Sequence, residues 1–240
     1  MAVRARQRAE AAVNRAVNRA VSRAVNRYAA AALATLLAAC AGRPVPDWQL
    51  NSKTAVDRAV AAYLSGDSAL ADSEWELARS EVARTGRVDL LARVELTACA
   101  ARVASLQFEG CEGFDRLRSL AGAPERAYAD FLSGRLQPQQ VELLPEQQRR
   151  LAGTGTIADG GRLNGIEDPF SRLVAVAVLF ESGRADPSAM SVAVDTASSQ
   201  GWRRPLLAWL NVLAERADKS GARDEAARLR QRIGLVLESK

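Results

Sequence analysis

The sequence predicts an all-α domain built from stacked antiparallel helical hairpins. Apolar residues recur at helical spacing through most of the chain after residue 50. Gly and Pro fall where helices must stop or start, and no stretch shows the strict alternation of a half-buried strand. A first helix from about Thr54 to Ser65 places Val56, Ala59, Val60 and Tyr63 on one face, with Gly66 as its left-handed stop. A second begins at an Asp67 or Ser68 cap and carries Ala71, Trp75, Ala78 and Val82 inward before Gly86. A third covers roughly Val88 to Ser105, with Leu91, Val94, Ala98 and Ala101 facing the core.

Pro124 opens a helix bearing Tyr128, Phe131 and Leu132, and Pro138 and Pro145 frame shorter turns. Residues 152–165 hold five glycines in fourteen positions and read as one long loop, with Asp159, Arg162 and Asn164 as its polar contact handles. Asp168-Pro169 and Asp186-Pro187 are cap-plus-first-turn pairs that open two more helices. The run LVAVAVLF at 173–180 is apolar all round, which marks the central buried helix. Two last helices are expected at about 205–219 and 222–237. Trp202, Arg203 and Arg204 precede Pro205 as an aromatic-cation cluster. It is of the type enriched at interfaces, but an aromatic that anchors one hairpin on the next is the preferred reading.

Gly66-Asp67, Ala71, Trp75 and Ala78, preceded by Ala59 and Tyr63, resemble one tetratricopeptide-type hairpin, in which small residues let two helices approach around an aromatic. Leu213, Ala214, Gly221 and Ala226 repeat part of that spacing, with Arg230 and Ile233 departing from it and the closing proline missing from both copies. The resemblance implies a helical array with a concave binding face.

Composition narrows the chemistry. Histidine is absent, which removes the commonest general base and metal ligand, and only three lysines accompany thirty arginines. No metal or cofactor is expected. Gly66-Asp67-Ser68-Ala69-Leu70 resembles the nucleophile block of GDSL-type hydrolases, but Ala69 interrupts it and no His exists to take the serine proton. The glycines at 153–161 lack the Gly-Lys-Ser/Thr end of a phosphate loop. Glu74, Glu76 and Glu81, and Glu167 with Asp168, read as a solvated helix face and a cap. A glycan-cleaving carboxylate pair is the rival reading.

The first 39 residues differ in kind from the rest. Of 33 basic and 28 acidic residues, seven Arg and one Glu lie there, which leaves 26 and 27 beyond and a balance near neutral. A neutral surface argues against nucleic-acid binding. The arginine-rich start includes a four-residue repeat from Ala12 to Arg27, and the uncharged run YAAAALATLLAA follows. These are the parts of an export leader, and twelve residues at about 1.5 Å each fall short of a bilayer core of about 30 Å. Leu37-Ala38-Ala39-Cys40 resembles the lipobox of bacterial lipoproteins. That resemblance implies cleavage before Cys40, a covalent lipid on its thiol and, with Ala41 in place of Asp, sorting to the periplasmic face of the outer membrane.

The expected organisation is therefore a signal peptide at 1–39, a lipidated tether at 40–50 and the helical domain at 51–240. With Cys40 lipidated, Cys99 and Cys111 remain as an even pair and are predicted to form a disulfide in an oxidising compartment, the alternative being two buried thiols. The expected function is a membrane-anchored, non-catalytic binding or scaffolding lipoprotein, its partners the membrane and another envelope protein or peptide. The alternatives are a glycan-acting envelope enzyme and a purely structural assembly factor.

Overall fold

Helix ends follow the side chains that the backbone requires. A computed structural model describes residues 45–152 and 160–238, together with Ser22. Cys40, its flanking tetrad and Asp159 lie outside the described residues. The chain divides into Met1–Val45 and Pro46–Lys240, and all that follows concerns the second unit. Its described residues are all-α, with no strand among them.

The first hairpin is α1 (Asp47–Ser65) and α2 (Ser68–Ala83). Gly66 has φ 97°, and its N–H and that of Asp67 return to the carbonyls of Tyr63 and Ala62. The Asp67 carboxylate accepts from Leu70 N–H at 3.0 Å, so two residues close one helix and open the next. Apolar spacing alone placed the start of α1 at Thr54 and left 40–50 as tether. The helix instead begins at Asp47, because Pro46 ends the preceding chain and the Asp47 carboxylate suits the positive end of the helix. Of the expected Val56-Ala59-Val60-Tyr63 face, Ala59 is fully buried and the other three are partly buried, while Ala55 and Ala62 join Ala59 in the core, since α1 packs against α2, α3 and α10.

Next come α3 (Val88–Ala104), the short α4 (Glu112–Asp115), α5 (Ala123–Leu132), a 3-10 turn (Pro138–Leu143) and α6 (Glu146–Ala152). After 153–159 the order is α7 (Gly160–Asn164), α8 (Pro169–Glu181), α9 (Pro187–Ser199), α10 (Arg203–Lys219) and α11 (Arg223–Glu238). The Gly-rich stretch is thus not one loop. Gly160–Asn164 coils into α7, held by fully buried Leu163 and by Ile166. Asp168 and Asp186 cap α8 and α9, accepting from Ser171 and Ala189 N–H at 2.7 Å each. Every residue from Leu173 to Leu179 is buried, as the all-apolar run predicts.

Two clusters make the core, and α3 belongs to both. Val94 and Ala98 join α1 and α2 around Trp75, while Leu96, Cys99, Ala100 and Val103 join α5, α8, α9 and α10. From α8 onward each helix packs on the next, and α10 returns to α1. Fully buried Trp209 of α10 donates its indole N–H to Ala104 O at 3.3 Å and meets the Phe180 ring edge-on at 5.4 Å.

At the end of α3 the chain turns back through Leu106, whose φ is 62°. The N–H groups of Leu106 and Gln107 close on the Val103 and Arg102 carbonyls, a left-handed stop made without glycine. Arg102 then donates to Gly110 O at 2.8 Å. This return brings the Cα atoms of Cys99 and Cys111 to 5.4 Å, joined by a disulfide.

Two outcomes follow from these closures. Replacing both cysteines by serine should cost about 3 kcal/mol, the loop-closure value for so short a ring, read by urea unfolding. Asp186→Ala should cost about 1 kcal/mol at neutral pH. The Ala189 N–H and the Ser188 hydroxyl hold the Asp186 carboxyl below its ordinary value, so its stabilisation is complete above that value. The cost should therefore shrink as pH falls below about 4, measured by unfolding across pH 2–7.

Candidate functional site

The outer strip of α3 forms the floor of a groove. Two concavities, of about 730 and 420 Å³, share Arg93 and Thr97 and so run together along that helix. One end lies between α1 and α3, where Trp48, Val56, Leu90 and Val94 supply an apolar lining. The other is walled by α5, the Leu144-Pro145 corner and the start of α6.

Each polar side chain at the α6 end is placed by its own element. Glu125, in the first turn of α5, is 5% exposed, and its carboxylate accepts from Arg93 Nε at 2.9 Å. Gly122 makes room for it, since a Cβ there would come within 2.5 Å of Glu125 Oε2. Tyr128 lies one turn on, stacked on Phe131 at 5.9 Å. Burial, reinforced by the Asp168 charge, pushes its hydroxyl far up from the ordinary tyrosine value, so it stays protonated. Gln147 and Gln148 enter from α6, and the Oε1 atoms of both are buried with no hydrogen-bond partner. Gln148 is only 4% exposed. A buried amide left unpaired costs about 1–3 kcal/mol.

The cations of the groove are paired. Lys53 meets Asp57 at 2.6 Å, Arg87 meets Asp89 at 2.6 Å, and Arg93 holds Glu125. Glu125 and Glu146 are the carboxylates that line it. Among the described residues no group of His, Cys, Asp or Glu is arranged to hold a metal ion.

Among the described residues, none of the contact candidates proposed from sequence lines this groove. Arg162 and Asn164 are exposed on α7 rather than on a loop. Trp202 is half-buried against the core at the start of α10, in the anchoring role. Arg203 beside it is half-buried too. Arg204 is not an outward handle, because it ties α10 to the first hairpin. Its Nε donates to Tyr63 O at 2.7 Å, a terminal nitrogen donates to Ser68 Oγ at 2.7 Å, and the guanidinium lies 4.3 Å from the Tyr63 ring centre. Ser68 of the GDSL-like block is therefore held in that clamp.

The acidic residues of α2 are not a uniformly solvated face. Glu81 is buried and pairs with Arg84. Glu74 faces Arg58 at 3.7 Å and has one buried oxygen without a partner. Sequence reading passed over Gln147 and Gln148 because EQQRR looks like an ordinary polar turn after Pro145. Leu144, just before that turn, is buried in the core, and Gln148 is buried with it.

No family model, curated protein or solved structure matches the chain.

Arg204→Ala should destabilise the domain by about 2 kcal/mol, the cost of losing charge-assisted bonds at a partly buried site. Arg204→Lys should recover only part of it, because an ammonium lacks the planar fork. Thermal unfolding of both variants checks this.

Proposed function

We propose that the mature protein begins at Cys40, is held by lipid to the periplasmic face of the outer membrane, and works there as a non-catalytic binding or scaffolding lipoprotein. The groove along α3 carries the reading. It offers an apolar end with Trp48, a run of paired cations and a polar end with Tyr128, Gln147 and Gln148. Such a surface suits an extended segment of another envelope protein. The carboxylate of Glu125 is taken up by Arg93, which favours holding a chain over cleaving one.

Three further observations support this assignment. The Cys99–Cys111 bridge is at home in an oxidising compartment. The tetrad ending at Cys40 resembles a lipobox, and two or three acyl chains make a durable anchor. Ala59, Ala71 and Ala78 are fully buried around Trp75, the packing that a tetratricopeptide-like hairpin needs.

Two measurements in the native host test the two halves of the proposal. Mass spectrometry should find an amino end at Cys40 carrying diacylglycerol, and an intact Met1 end with a bare thiol would remove the anchor. A photo-crosslinking residue at Thr97 should capture an envelope protein that the same residue at exposed Glu215 does not. Equal capture, or none, would remove the groove as the docking surface.

A further inference from the structure

We infer that the cavity between α1 and α3 receives the carboxy-terminal residue of a partner's extended chain, its carboxylate on Arg93 and its apolar side chain against Trp48. The inference rests on the groove being the docking surface, and it names which part of the partner that surface reads.

The two ends of the groove differ in the charges that line them. Lys53, Arg87 and Arg93 line the end between α1 and α3, and among the described residues no Asp or Glu does. Glu125 and Glu146 line the opposite end. The acids that pair with Lys53 and Arg87 are Asp57 and Asp89, and neither belongs to the cavity wall. A chain end that carries negative charge therefore complements one end of the groove and not the other.

Arg93 stands where the two concavities meet, and 63% of its side chain is exposed. Buried Glu125 holds it by Nε alone. Among the described residues nothing bonds its two terminal nitrogens, so the end of the guanidinium fork is open. Arg118 shows in the same domain that a guanidinium held at Nε takes a second carboxylate. It meets Asp115 through Nε and Asp130 through a terminal nitrogen, at 3.2 Å each. Arg93 has the first kind of partner and lacks the second. Beside it Trp48, Val56, Val82, Leu90 and Val94 make an apolar floor in the same cavity. A carboxylate next to an apolar side chain, on a backbone that continues, is the last residue of a peptide. A fatty acid shares the first two features, but it leaves unused the part of the groove that continues past Thr97 to Tyr128.

The test uses the full lipidated chain in lipid nanodiscs and rhodamine-labelled pentapeptides of Gly, Ser and Ala ending in Leu. One set ends in the free acid, a second in the amide, and a third in the amide with one internal Asp. The free acid should bind about tenfold more tightly than either amide set, as a charge-assisted bond to arginine implies. Raising the salt to about 1 M should shrink that ratio. Arg93→Gln combined with Glu125→Gln removes both charges, so no buried carboxylate is left alone, and it should abolish the preference for the free acid. Lys53→Gln combined with Arg87→Gln breaks two exposed pairs at little cost in stability and should reduce the preference. A role confined to folding would weaken the acid and amide sets alike. Equal binding of acid and amide by the unaltered protein, a preference that survives loss of Arg93, binding of the internal Asp set as tight as the free acid, or displacement of the peptides by an equal concentration of octanoate would each overturn the inference. If no set binds while the Thr97 photo-adduct persists, the chain-end site falls and the docking surface stands. If the adduct is missing too, both fall.

Discussion

The burial of α3 on two faces is the constraint on which the domain depends. One face packs into the first hairpin and the other into the cluster built by α5, α8, α9 and α10, so neither core closes without it. Alanine makes this possible. Ala92, Ala98, Ala100, Ala101 and Ala104 leave neighbouring helices room to approach, while Leu96 and Val103 fill the remaining space. A helix used this way has little surface left. What remains is the narrow strip at Arg93 and Thr97, and that strip is the groove floor.

Contacts between residues far apart in sequence then tie the ends of the array together. Arg204 reaches from α10 to Tyr63 and Ser68, and the Trp209 indole reaches the last carbonyl of α3. The indole thereby meets a carbonyl at the end of α3, while Arg204 adds a second donor to the Tyr63 carbonyl that the Gly66 N–H already reaches. The disulfide does comparable work past the end of α3. It closes a loop whose turn Leu106 makes in a conformation that glycine normally occupies, and Tyr63 adds a hydroxyl bond to Gln107 at 2.5 Å.

Several partly buried acids have basic partners, Arg79 with Glu95 at 2.6 Å among them, but Glu74 Oε2 and Arg149 Nε are buried without a partner. At the start of α6 two amide oxygens are buried and unpaired. Both glutamines line the α6 end of the groove.

Most of the fold was legible along the chain because helix boundaries are local. Asp67, Asp168 and Asp186 cap helices through bonds three residues away, Gly66 supplies a left-handed stop, and the Ala71-Trp75-Ala78-Val82 spacing marks the buried face of α2. Two boundaries departed from local apolar spacing. Buried Leu163 accompanies five residues of a glycine-rich stretch in a helix, and α1 starts early at the Pro46-Asp47 entry, with turns whose residues are mostly exposed. The site was hardly legible at all. Nothing near Arg204 in sequence announces that it turns inward, because its partners lie some 140 residues away. Nor does EQQRR announce a buried amide, since the burial of Gln148 depends on what the rest of the chain packs around it. Sequence alone determined the helices and their caps, which rest on bonds within one turn. Tertiary structure alone decided which polar groups are satisfied, because that depends on what the rest of the chain brings beside them.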